Sequence, residues 1–221
     1  MSGRLTYDPT KDPSKWVKVN KTRRARGYSF EDKVRAFFNR LDNETFIHAR
    51  RLGGSSTGLP DLVITNNHPS HTSIVAMECK SVQDSYVAVI PADQVIRCIT
   101  TLQAFEGGYN QKYVGFGFKF MQSVKCKRKK SIDRYWLLSM YDPLFNDNLL
   151  KVTYDIRTEM LTFHYKDGGK SAISGNIQNN WYPDLYRLAD VLDPMGVSHS
   201  ERQIRQDRKQ DTLTSLEPLG H

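Results

Sequence analysis

No run of about 18 apolar residues occurs anywhere in the chain, so no segment reads as a membrane span. Cysteine is scarce too. Cys79, Cys98 and Cys126 are the only three in 221 residues, and no two stand at CxxC spacing. That argues against both a disulfide framework and a zinc finger. Cys79 and Cys98 are then expected to be small core residues in a reducing compartment. Acid is the minority charge: 24 Asp and Glu against 32 Lys and Arg leave a net charge of +8. A basic excess points to a polyanionic partner, nucleic acid first. Hydrophobic residues make up only 38% of the chain, which predicts that part of its length joins no core. The opening stretch MSGRLTYDPTKDPSK is polar and lacks the apolar segment of a signal peptide, so a cytoplasmic location is expected.

The positive charge is clustered. Seven Lys or Arg residues fall between Lys11 and Arg26, and residues 125–130 read KCKRKK. A solvated loop would explain either run alone. Two runs with few acids beside them favour contact with phosphates, which positions a protein on DNA without reading its sequence. DNA affinity should therefore fall steeply with salt.

Patterning divides the chain. Residues 1–26 read as a basic flexible arm. Phe30, Val34, Phe37, Phe38 and Leu41 form one apolar stripe at helical spacing, and Ser29 with Asp32 resembles a capping box at its start. A strand over 45–49 leads into the Gly- and Ser-rich loop RRLGGSSTGLP. Strands over Leu62–Thr65 and Ser73–Ser81, joined by NNHPSH, read as an antiparallel hairpin. Pro91 opens a second helix with Val95, Cys98, Ile99 and Leu102 inward. In YVGFGFKF, Val114, Phe116, Phe118 and Phe120 share one strand face, with Gly115, Gly117 and Lys119 on the other. One more strand is predicted over Arg134–Met140. The order predicts an α/β fold, a mixed central β-sheet flanked by helices, over residues 27–142. Residues 143–197 read as a C-terminal extension: a β-hairpin of 152–156 with 161–165, then a short helix over 183–192. The polar segment 198–221 reads as a disordered tail.

Three charges sit oddly in this pattern. Asp61 heads the apolar run Leu62-Val63-Ile64, and Glu78 and Lys80 lie inside a strand. Buried charge is costly unless it is paired or holds a metal. Strand alternation points Glu78 and Lys80 the same way, and the hairpin brings Asp61 beside Glu78. Two adjacent carboxylates repel, and one pKa rises sharply without a cation. Magnesium suits such a pair, since it favours one or two carboxylates plus waters and a phosphate oxygen. With Lys80 aimed at the same spot, these residue types point to metal-assisted phosphodiester hydrolysis. Plainer readings exist for each. Asp61 after Pro60 suits a turn, Glu78 with Lys80 suits a surface ion pair, and Glu31 in a first helical turn suits the helix dipole. His48, His68, His71 and His164 show no ligand spacing.

The series Pro60-Asp61, then Glu78-Cys79-Lys80, resembles the signature of the PD-(D/E)xK nuclease superfamily. Around it, RGYSFEDKV (26–34) is similar to the helix start of archaeal Holliday junction resolvases. Arg50 with the GGSS stretch resembles their loop ahead of the aspartate, and the helix bearing Gln94 takes the place of their glutamine-bearing helix. The resemblance covers residues 23–140. It implies a restriction-endonuclease-like fold, and cleavage of four-way DNA junctions in recombination and repair by a homodimer using Mg2+, with Mn2+ as a possible substitute. Residue by residue, it implies Glu31, Asp61 and Glu78 at the metal and Lys80 as the catalytic lysine. Ser55 or Ser56 would be the loop serine and Gln94 an accessory residue. Arg23, Arg24, Arg26, Arg50 and Arg51 are the candidate DNA contacts. The loop is shorter than many in the family and lacks its usual lysines. Cleavage of other branched or double-stranded DNA, or DNA binding without catalysis, are the alternative expectations.

Overall fold

The computed structural model describes residues 28–41, 46–52, 58–105, 107–122, 130–176 and 180–192. The expected arm, residues 125–129 of the KCKRKK run, Ser55, Ser56, Arg23, Arg24, Arg26 and the tail all lie outside them.

The first helical stripe folds as predicted. Helix α1 (28–41) buries Phe30, Val34, Phe37, Phe38 and Leu41. Strand β1 (Ile47–Arg51) sits two residues later than expected and pairs with β2 (Leu62–His68). The next hairpin is longer and tighter than expected. Strand β3 (His71–Gln83) pairs antiparallel with β2 as far as His68↔His71, so the turn shrinks to Pro69-Ser70.

Strand β4 (Val87–Pro91) had not been foreseen; Pro91 then caps α2 (Ala92–Ala104). Strand β5 (Gln111–Gln122) runs parallel to β3, as a helical crossover allows, and β6 (Lys130–Ser139) runs back antiparallel to β5. Beyond it come β7 (Leu149–Asp155), β8 (Met160–Tyr165), β9 (Lys170–Ser174), the short β10 (Trp181–Tyr182) and α3 (Leu185–Leu192).

The protein is therefore mixed α/β, with a mixed six-stranded sheet ordered β1-β2-β3-β5-β6-β10. The expected hairpin of 152–165 is the middle of a second sheet, ordered β4-β7-β8-β9. Alternation along each strand sorts the core into two layers. On one face of the large sheet, Val75 and Met77 meet α1 and α3. On the other, Ile74, Ala76, Phe116 and Phe118 meet α2 and the inner face of the second sheet, including Val152, Tyr154, Leu161 and Phe163. Phe118 stacks on Tyr154 with ring centroids 4.9 Å apart, so residues beyond 142 complete the core under β3 and β5. No helix among the described residues is long and apolar enough to cross a membrane.

Two glycines of β5 leave room on the α1 face of the sheet, Gly115 beside β3 and Gly117 beneath α1. A Cβ on Gly115 would lie 2.8 Å from Val75 Cγ1, and one on Gly117 would lie 3.3 Å from Cys79 Sγ and 3.4 Å from the Phe30 ring. The missing side chain at Gly117 lets Phe30 rest on β5, which carries the next residue, Glu31, toward the end of β3.

Candidate active site

The register of the first hairpin ends at Leu62↔Met77. One step further along the same ladder stand Asp61 and Glu78. The backbone here is tied on both sides: Leu52 N–H donates to the Asp61 carbonyl at 3.2 Å, and Cys79 N–H donates to Asp61 Oδ2 at 2.8 Å. Gly58, at φ +69°, supplies the left-handed residue in the approach to Pro60.

Asp61 and Glu78 lie within hydrogen-bonding reach of each other, and both resist ionisation. Burial raises the Asp61 pKa, opposed by the Cys79 amide and by Glu78. Glu78 is pushed up to about 9, by burial first and then by the negative charge of Asp61, with Arg97 and Lys80 pulling it back. Burial and the proximity of the two groups thus both disfavour full ionisation of the pair. Glu78 Oε1 is buried with no hydrogen bond among the described residues. The nearest cation to it among the described residues is Arg97 of α2, with Nη2 at 3.9 Å.

Glu31 approaches from the opposite layer. It is 6% exposed, and burial followed by the charge of Asp61 raises its pKa to about 7. Arg51 Nε, at 2.9 Å from Glu31 Oε2, pulls the other way. Cys79 sits between the acids; its thiol is free and held well above its ordinary pKa by burial and then by the charge of Asp61. Lys80 shares the Glu78 face of β3, and its charge acts on both Asp61 and Glu78. It is half-buried and borders an open cleft of about 560 Å³ between β3, β4 and β5.

The four principal residues of the expected site therefore fall at one end of β3. Among the described residues, no three His, Cys, Asp or Glu side chains converge closely enough to cage a metal ion by themselves. An ion held here would take Asp61 and Glu78 and fill its other positions with water or substrate oxygen. Glu78 Oε1, without a hydrogen bond among the described residues, fits that use.

Two expected contacts lie elsewhere. Gln94 is half-buried on α2 and makes no hydrogen bond with the acids among the described residues. Arg97, nearly one turn further on, takes the place at the site that had been expected of it. Its Nη1 donates to the Leu59 carbonyl at 3.3 Å, and its Nη2 faces both Glu78 and Asp93. The sequence signal was slight: Arg97 borders the inward Cys98. Arg51, expected on DNA, pairs with Glu31 and lies over the Tyr28 ring at 4.1 Å, whereas Arg50 is exposed. No family model matches the chain, and no curated protein matches it.

Proposed function

We propose that the protein is a metal-dependent endodeoxyribonuclease of the PD-(D/E)xK type, with a restriction-endonuclease-like fold. The carrying observation is the meeting of half-buried Asp61 and buried Glu78 at the end of the β2–β3 ladder, with Glu78 Oε1 making no hydrogen bond among the described residues and Lys80 on the same strand face as Glu78. Retaining a buried and a half-buried carboxylate side by side costs stability, which a purely structural role would not repay.

In this reading, Asp61 and Glu78 hold Mg2+ or Mn2+, with Glu31 adding negative charge from α1. The ion would polarise a phosphoryl oxygen and lower the pKa of a bound water. Lys80 stabilises the charge that grows on the phosphoryl group as the water oxygen bonds to phosphorus and the bond to the leaving alkoxide breaks. Arg97 holds Glu78 and the turn before Asp61 in place. The products are a phosphate monoester and an alcohol.

The resemblance of the 26–34 segment and the GGSS loop to archaeal resolvases supports a four-way junction as the substrate, cut by a homodimer whose two sites match its two strands. A second reading, cleavage of duplex or flap DNA, is favoured by the sheet β4-β7-β8-β9, which borders the Lys80 cleft and is built largely from residues outside that resemblance.

The test is incubation of a labelled synthetic junction with Mg2+, beside matched duplex, flap and single-stranded DNA, with Asp61→Ala as control. Paired symmetrical nicks on the junction alone, lost in the variant, establish a resolvase. Cleavage of the other DNAs keeps the site and discards the junction. Tight binding with no cleavage by the unaltered protein refutes the catalytic reading.

A further inference from the structure

A cavity of about 470 Å³ opens between β1, β2 and the C-terminal end of α2, on the sheet face that carries the acid pair. Its floor is Val63, two residues along β2 from Asp61 and so about 7 Å away. Thr65 and Asn67 follow on the same strand face and line one wall. Phe105 and Tyr109 line another, edge to face with centroids 6.0 Å apart and planes at 75°. The Phe105 ring is 41% exposed where α2 ends, an arrangement that leaves apolar area in contact with water. Arg50, also exposed, stands at the lining as a cation.

We propose that this cavity receives one unpaired nucleobase of the DNA substrate, an inference that rests on the nuclease reading above. The chemistry of the lining selects that occupant. Aromatic faces bind bases of any identity by stacking, typically with side-chain amides and hydroxyls on the base edges and a guanidinium on the phosphate. Phe105 and Tyr109 supply the rings, Asn67 and Thr65 the polar edge, and Arg50 the cation. Position adds to this: a phosphodiester at Asp61 and Glu78 has its neighbouring nucleotide within reach of Val63. A base taken up here is already out of its stack, so the site would favour branch points, nicks and flaps over intact duplex, where extrusion costs unpairing energy.

The test follows side-chain and amide NMR signals of the isotope-labelled full chain in EDTA, titrated with dAMP and dTMP and, in parallel, with ribose 5-phosphate. The expected result is saturable movement of the Thr65, Asn67 and Phe105 signals with both nucleotides and not with the sugar phosphate. Phe105→Ala should weaken binding about 10-fold or more, while Phe105→Tyr retains it. Equal movement with ribose 5-phosphate would show an anion site at Arg50 only and overturn the proposal. Absence of movement at these residues would overturn it as well. The readout uses no divalent metal and no cleavage. If the nuclease reading alone fails, nucleotide binding persists beside an inactive protein. If the base site alone fails, cleavage persists without these shifts.

Discussion

Asp61 and Glu78 stand opposite each other one step beyond the last paired residues of their hairpin, Leu62 and Met77. The ladder that builds the sheet thus delivers two carboxylates to one point, and Asp61 is fixed there by the Cys79 amide. Three consequences concern the site itself.

Stability without metal should fall as pH rises. The folded-state pKa of Glu78 is about 9 against an ordinary 4.5, and that of Glu31 is about 7 against 4.5. Above 4.5 an unfolded chain ionises both freely, while the folded chain resists. Unfolding therefore releases more protons, and the contribution of these two acids to stability drops progressively from about pH 4.5 to about pH 9. Thermal unfolding in EDTA across that range should show the decline. Glu78→Gln should flatten most of it, and Mg2+ should raise Tm more at pH 8 than at pH 6. A melting temperature that climbs with pH would contradict the raised pKa values of these acids.

Arg97 should set metal affinity without touching the metal. Among the described residues, it is the cation facing the unpartnered Glu78 oxygen and the donor to Leu59 before Asp61. Partners that orient ligating groups are worth roughly 10- to 100-fold in affinity. Arg97→Met should weaken Mn2+ binding by about that factor. Arg97→Lys should recover part of it, since it keeps the charge and loses the two-pronged grip. Calorimetric titration of the three proteins decides the matter, and equal affinities would remove Arg97 from the site.

Lys80 should matter for turnover and little for binding. Its charge acts on the acid pair from the same face of β3. Lys80→Met should cut the single-turnover rate roughly 100- to 1000-fold, the scale on which a lone transition-state donor acts. DNA affinity, carried by many phosphate contacts, should change much less. Parallel single-turnover and equilibrium-binding assays separate the two.

The legible parts of this molecule were those governed by local period. The α1 stripe, the Phe-rich face of β5 and the coincidence of Asp61, Glu78 and Lys80 all follow from spacings of 3.6 or 2 within a few residues. What escaped depends on distant partners. Val87–Pro91 is five residues long and alternates modestly, with Ala88 and Ile90 inward. Its partner β7 begins at Leu149, so no neighbouring segment signals the pairing. Arg97 escaped because the tilt of α2 over β3, a tertiary property, decides which polar residue flanking the stripe meets Glu78. The Gly- and Ser-rich pattern assigns Arg51 to a loop, and the two-residue shift of β1 places it within reach of Glu31.

The same distant pairing carries a last prediction. The second sheet contributes Val152, Tyr154, Leu161 and Phe163 to the layer that also holds Phe116 and Phe118. Glu78 and Lys80 are in register with Phe116 and Phe118 on β5, so the apolar support beneath the site is shared with β7 and β8. Phe163 is fully buried and touches Phe145 at 5.8 Å between ring centroids. Phe163→Ala should cost about 3–5 kcal/mol, the usual range for truncating a core aromatic. A chain ending at residue 142 would expose the inner faces of Phe118 and Trp136, which now meet Tyr154 at 4.9 and 6.0 Å. It should therefore fail to unfold cooperatively by circular dichroism. A truncated chain that melts cooperatively and keeps its metal affinity would make the second sheet an appendage instead of a structural half of the site.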